Sequence, residues 1–316
     1  MPNGAELAMP PSQARWPAGL QVIERGWLSS NSILLGGDAR GAVLVDSGYC
    51  SHVEQTQALL TQSLRGEPLR LIVNTHLHSD HCGGNAALQR VHGCPVWIPP
   101  GDFAAAQTWD EASLSYRLTG QQCPRFTPNA VLTPGDQLNQ AGLDWQVHAA
   151  PGHDPHAILL FEQQSRTLIS ADALWERGFG IVFPEIDGVA AFEEVAASLD
   201  LIEALDPVLV IPGHGAPFCD PAQALREARS RLAFFRQHPE RHARHAAKAL
   251  IMFHLLELQC QQLGELLDWL DATPIHRQMW AQYFQAQSLR NWSLTLLGEL
   301  EAGQAIRRQD DWISVS

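Results

Sequence analysis

LRLIVNTHLHSDHCGG, residues 69–84, begins as a strand and ends as a site. LRLIVN is apolar almost throughout, as expected of a strand buried on both faces. It runs directly into His76, His78, Asp80 and His81, three imidazoles and a carboxylate within six positions. His76 and His78 are two apart, so on extended chain both face the same way. Asp80 and His81 follow as the chain turns into a helix. Polar groups crowded at the end of a buried strand are costly without a partner of strong chemistry. Imidazole with carboxylate suits zinc, and also manganese or iron. A tetrahedral ion needs only three or four ligands, so this cluster and further candidates downstream imply two ions. Those candidates stand at strand ends: His153 in PGHDPH, Asp172 after TLIS, His214 after VLVIP. Gly, Ala or Ser flanks each, which lets backbones approach a shared centre.

Working outward, residues 1–19 are rich in Pro, Ala and Gly and read as a loose tail. LQVIE, SILLG and AVLVD, between residues 20 and 46, are short apolar runs bounded by Gly and Ser, an antiparallel series. Helical spacing is expected over 52–64, over GGNAALQRVHG up to Gly93, over 190–205 and over 221–237. Further strands are expected at CPVWIP and near 130–133, 143–148, 157–161, 167–170 and 208–212. Strand runs with interspersed helices predict an α/β (α+β) fold of sheets inside helical layers. HPERH, at 238–242, reads as a boundary. Beyond it, three apolar helices and a terminal hairpin resemble a winged-helix module. The domains expected are therefore a tail (1–19), a catalytic domain (20–237) and a small, mainly helical C-terminal domain (238–316).

The net charge of −13 disfavours a nucleic-acid backbone as principal ligand, since that binding rests on Lys and Arg neutralising phosphates. From 238 onward seven Lys and Arg face nine Asp and Glu, a net of −2, without a basic stripe. The six cysteines (50, 82, 94, 123, 219 and 260) form no C-x-x-C pair and read as free thiols. The start lacks a basic region followed by an apolar run, and no stretch approaches 18 apolar residues. The expected location is the cytoplasm, without a membrane partner.

H-x-H-x-D-H, then a Gly-His, then an Asp after a strand, then P-G-H-G, resembles the metallo-β-lactamase superfamily over roughly residues 20–236. The resemblance implies an αββα sandwich with metals at one sheet edge. It implies that His76, His78 and His153 bind one ion, that Asp80, His81 and His214 bind the second, and that Asp172 bridges them. VDSG, at 45–48, resembles the family's early V-D-x-G turn and places Asp46 behind the ligands. His156 is expected to hydrogen-bond beside them. GHDPH departs from the frequent G-H-T-P-G, and Asp172 stands where one branch of dedicated β-lactamases has Cys.

The cofactors expected are two divalent ions, zinc first and iron or manganese as alternatives. A zinc-bound water has its pKa lowered to about 7, so the expected reaction is attack by a metal-bound hydroxide on a carbonyl. Asp80 is expected both to ligate and to orient the nucleophile or pass on its proton. There is no G-x-S-x-G and no dinucleotide fingerprint. Trp175, Arg177, Phe179 and Phe183, together with Trp109, Tyr116 and Phe126, are candidates for a substrate pocket, Arg177 for a carboxylate or thiol carrier. Three classes compete: a hydrolase of a small-molecule thioester, ester or lactone; a nuclease or phosphodiesterase; and a non-catalytic redox or binding partner. The first is favoured, with the tail packing on the catalytic domain or forming a homodimer contact.

Overall fold

The computed structural model describes residues 6–7 and 16–316; most of the expected tail lies outside the described residues. Strand β5 (Leu69–Val73) sits inside a seven-stranded sheet. Before it come β1 (Glu6–Leu7), β2 (Leu20–Glu24), β3 (Ser32–Leu35) and β4 (Ala42–Val45), paired antiparallel in sequence order. After it, β6 (Val96–Ile98) and β7 (Ala130–Val131) add in parallel, as β5 does to β4. A second sheet contains β8 (Gln137–Gln140), β9 (Leu143–Ala149), β10 (Ile158–Glu162), β11 (Thr167–Ala171) and β12 (Leu209–Pro212). Only its β11–β12 pair is parallel.

Alternation along the strands builds the layers. Ile33, Val43, Val45, Leu71 and Val73 of the first sheet meet Trp145, Val147, Ile158, Leu160, Ile169 and Ile211 of the second in one core. The residues between them point outward. Leu34, Leu44 and Ile72 pack under α1 (Val53–Leu64) and its neighbours. Leu159, Phe161, Leu168 and Val210 pack under α7 (Phe192–Leu205) and α8 (Pro221–Gln237). Strands carrying apolar residues on both faces must be covered on both, which is the αββα sandwich the resemblance implied. Each fully buried aliphatic side chain contributes about 1.5–3 kcal/mol. The remaining helices of this part, numbered in chain order, are α2 (Ser79–Cys82), α3 (Asn85–His92), α4 (Phe103–Thr108), α5 (Tyr116–Thr119) and α6 (Phe183–Ile186).

The C-terminal part holds α9 (Pro239–Leu258), β13 (Cys260–Gln262), α10 (Leu263–Ala272), α11 (Pro274–Tyr283), α12 (Leu289–Ala302), β14 (Ile306–Gln309) and β15 (Trp312–Val315). Its strands form an antiparallel sheet in the order β13-β15-β14. Leu250, Ile251, Leu266, Leu270, Met279, Trp292, Leu296 and Ile313 share its core with Ile186 of the sandwich. Three details differ from the sequence expectation. Only His238 separates α8 from α9, because Pro239 occupies the first turn of the new helix, where its missing N–H costs nothing. The strand β13 and the helix α11 were not expected.

Candidate metal centre

All seven expected ligands converge at one edge of the sandwich. β5 delivers His76 and His78 on the extended segment that follows it, and α2 carries Asp80 and His81. His153 stands between β9 and β10, Asp172 directly after β11, and His214 just beyond β12. Every one is at most 8% exposed. Three triads have donor atoms within 4.8 Å of one another: His76, His78 and His153; His76, His81 and Asp172; Asp80, His81 and His214. His76 and His81 each belong to two triads, so the groups form one continuous cradle.

The individual distances show how tightly it is drawn. His78 Nδ1 lies 2.8 Å from His153 Nε2, and His214 Nε2 lies 3.0 Å from Asp80 Oδ2. Asp172 reaches both halves, with Oδ2 3.3 Å from His153 Nε2 and Oδ1 3.5 Å from His81 Nε2. Asp172 directly follows Ala171, whose φ is +46°. A side chain at Gly213 would collide with the Asp172 carboxylate, so glycine is what lets the β12 loop close over it.

The donors are oriented from behind. Asp46 Oδ2 accepts from His81 Nδ1 at 2.7 Å and from the Thr75 hydroxyl at 2.7 Å, while its Oδ1 accepts from Thr75 N at 2.9 Å. His153 Nδ1 donates to Ile181 O at 2.5 Å. These bonds fix both tautomers and aim each Nε2 lone pair into the cradle. His76 Nε2 and His81 Nε2 are buried without a hydrogen-bond partner. Orphaned buried polar atoms are rare, and two facing carboxylates and further imidazoles fit a divalent cation. The electrostatics agree. Burial, with the neighbouring imidazoles, holds His76 well below its ordinary pKa and pushes His78 down to about 4. Both are therefore neutral at pH 7, as ligands must be. For His81 burial opposes charging, yet Asp172, Asp46 and Asp80 outweigh it and raise the pKa well above the ordinary value. The carboxylates pull positive charge to that spot, and a metal ion would replace the proton.

Other expected residues fall differently. His156 turns away from the donors: it is exposed, 3.9 Å from Asp102 Oδ1. Asp154, two residues earlier, takes the nearer place, 3.8 Å from His78 Nε2. Phe179 is buried in the core beneath the second sheet. Tyr116 and Phe126, with Trp109 against them, belong to the core beneath the first sheet. Trp175 does face the site, with Nε1 donating to Asp172 Oδ1 at 3.1 Å and its ring 5.5 Å from His214. Phe183 lies edge-on to His78 at 5.1 Å. Arg177 is exposed and lines a separate cavity. Cys82 is a buried packed thiol, 3.7 Å from Cys123 Sγ.

Sequence reasoning also missed Trp27 and Asn31. Trp27 is 60% exposed and stacks on His214 at 5.3 Å, 13° from parallel, with Trp175 5.4 Å away. Asn31 donates to Pro212 O at 2.9 Å and Gly215 O at 2.7 Å, clasping the His214 loop from the first sheet. The only signal for either was a tryptophan and an asparagine in the polar loop ERGWLSSNS.

The chain belongs to the metallo-beta-lactamase superfamily, whose family model matches residues 25–214. Fold, family and donor set indicate a metal-dependent hydrolase. The hydroxyacylglutathione hydrolase of Albidiferax ferrireducens is 32% identical over 59% of this chain and 62% of its own length. The match thus spans less than two thirds of that relative. A metallo-beta-lactamase family protein from Thermus thermophilus shares the fold over 99% of both chains, with 22% identity and a TM-score of 0.52. A protein solved in a di-iron-bound form is 27% identical, covering 66% of this chain and 98% of its own, with a TM-score of 0.52.

Proposed function

We propose that the chain hydrolyses a small-molecule carbonyl compound, a thioester, ester or lactone, with two divalent ions held by the seven donors. The observation that carries this reading is the sharing of His76 and His81 between triads with Asp172 reaching both halves. In this reading His76, His78 and His153 hold one ion, Asp80, His81 and His214 the other, and Asp172 lies between. Zinc suits the donor set, and the di-iron relative supports iron as the alternative. Bound ions of this kind supply Lewis acidity and make water a nucleophile near neutral pH.

The protein's own groups do the rest. Asp46 and Ile181 O hold two imidazoles in fixed tautomers, so the cradle needs no rearrangement. Asp80, 3.0 Å from His214, is assigned to orient the attacking water and move its proton. Trp27, Trp175 and Phe183 offer apolar walls for an acyl group and exclude water there. A thioester needs no proton delivered to its leaving thiolate. The hydroxyacylglutathione hydrolase relative supports the same substrate class. We also read 20–237 as the catalytic unit and 238–316 as a packing module of winged-helix type, and the six free cysteines support a cytoplasmic location.

The test is kcat/KM for an acyl thioester, a long-chain lactone, a β-lactam and a bis-phosphodiester, with metal content measured on the same preparation. We expect close to two ions per chain and the thioester or lactone to be best. A phosphodiester best by an order of magnitude and lost in Asp80→Ala, or protein isolated without chelator and free of metal, would overturn the reading.

A further inference from the structure

Across the Trp175–Gly178 loop from the metal donors lies a cavity of about 1170 Å³, open between α8, α9, α12 and that loop. Arg177, Arg231, Arg241, Arg244 and Lys248 line it. Glu227, Glu240 and Glu299 line it as well, so the cavity carries a net charge of +2 within a chain of net charge −13. Two of the cations are already answered, since Arg244 pairs with Glu299 and Lys248 Nζ lies 3.3 Å from it. Among the described residues, Arg177, Arg231 and Arg241 have no ion pair. Three unanswered guanidiniums lining one cavity from the loop, α8 and α9 match the fork geometry of phosphate oxygens.

Two further observations narrow the ligand. Phe234, 48% exposed, lines the cavity and offers a ring to a planar group, while Phe284 is already stacked on Trp292 at 4.7 Å and lies under the Arg244 guanidinium. The wall is also coupled to the site. A side chain at Gly178, where φ is +110°, would stand 2.6 Å from Arg231 Nη1, so this guanidinium packs flush against the loop backbone. The loop closes on itself through Trp175 N to Gly178 O at 2.7 Å, and the Trp175 indole donates to Asp172. Arg177 follows Trp175 by two residues, a span of at most about 7 Å.

The geometry points to a binding site for the phosphate-bearing nucleotide handle of the acyl substrate, with phosphates on Arg177, Arg231 and Arg241 and the base against Phe234. This rests on the hydrolase reading, because the handle is the carrier of the acyl group cleaved at the metals. The volume exceeds the roughly 300–1,000 Å³ typical of small-ligand pockets, as a nucleotide with a trailing arm requires.

Two measurements on the full-length, metal-loaded chain test it. The first is calorimetric titration with adenosine diphosphate. Saturable binding is expected, weakened about tenfold or more in Arg241→Gln and Arg231→Gln, as loss of a charge-assisted phosphate contact implies. Arg241 is exposed, so its variant tests the site even if Arg231→Gln disturbs the loop. The second is kcat/KM for one acyl group carried on coenzyme A and on N-acetylcysteamine. The coenzyme A thioester should be favoured about tenfold or more, through KM, and Arg241→Gln should bring the ratio toward one. No adenosine diphosphate binding at millimolar concentration, with N-acetylcysteamine thioester still cleaved, overturns the handle site and leaves the hydrolase standing. Binding without a preference between the thioesters makes the site one for a free nucleotide and also overturns the proposal. Binding with neither thioester cleaved overturns the hydrolase reading, and the handle with it.

Discussion

The protein buries histidines at two ends and uses them in opposite ways. At the sheet edge, imidazoles stand among carboxylates with two Nε2 atoms unpartnered. In and against the C-terminal helices they stand singly among rings. His276 stacks on Trp292 at 4.5 Å and bonds Ser293 Oγ at 2.9 Å. His254 stacks on Trp269 at 3.7 Å and bonds Gln261. His242 accepts from Val182 N at 3.2 Å. Burial alone pushes His276 down to about 4, whereas neighbouring carboxylates hold His81 up. A histidine's company, more than its burial, thus separates a packing residue from a candidate ligand.

The largest effect should come from breaking the first group. Asp172→Ala should lose one of two ions and more activity than the roughly 10–100-fold typical of changes behind a metal ligand, while circular dichroism stays native. If Asp172→Ala keeps both ions and full kcat/KM, the carboxylate does not hold the two halves together. Asp46→Asn comes next, with a loss of about 10–100-fold in metal affinity or kcat/KM, because it frees His81 and Thr75 together.

The packing histidines answer to pH. His276 titrates lower in the folded protein than in the unfolded chain, so the unfolded chain binds more protons between about pH 4 and the ordinary value of 6.5. Its contribution is fully present above pH 6.5 and falls by about 1.4 kcal/mol per pH unit as acid is added through that window. His78, His242 and His245 are depressed over the same window, so urea melts with chelator present should show a steeper total slope, which His276→Gln should reduce by about 1.4 kcal/mol per pH unit. An unchanged slope would mean that His276 does not titrate on unfolding. Smallest is Trp27→Ala. Removing an exposed ring that stacks on His214 should raise KM for an apolar acyl substrate by about threefold to tenfold, the worth of an aromatic contact, with Tm unmoved.

The seven donors were legible because their signal is local. Four lie within six residues, and the others each follow an apolar run that must end at a sheet edge. The sandwich was legible for the same reason, since strands apolar on both faces demand two covers. What escaped depends on contact across the fold. Ile181 offers a backbone carbonyl, which leaves no mark in a sequence. The strand β13 exists because Cys260, Gln261 and Gln262 pair with Ser314, Ile313 and Trp312 some fifty residues later. Phe179 and Trp175 read alike in LWERGFG, and only the tertiary turn sends one to the core and the other to Asp172. The helix α11 had a usable signal, Thr273 before Pro274, that composition around it obscured.

Asn31 clasps the loop of His214, joining the first strands to the last of the candidate donors. His76 and His214 are 138 positions apart. At about 5–20 residues per second, a ribosome makes the second roughly 7–28 s after the first. Over that interval His153 and Asp172 are added first, and Asp80 and His81 are left without His214 to complete their triad. The amide of Asn31 has waited longer still. Its two bonds can form only when residues 212–215 leave the exit tunnel, so one late event locks the sheets and completes the donor set.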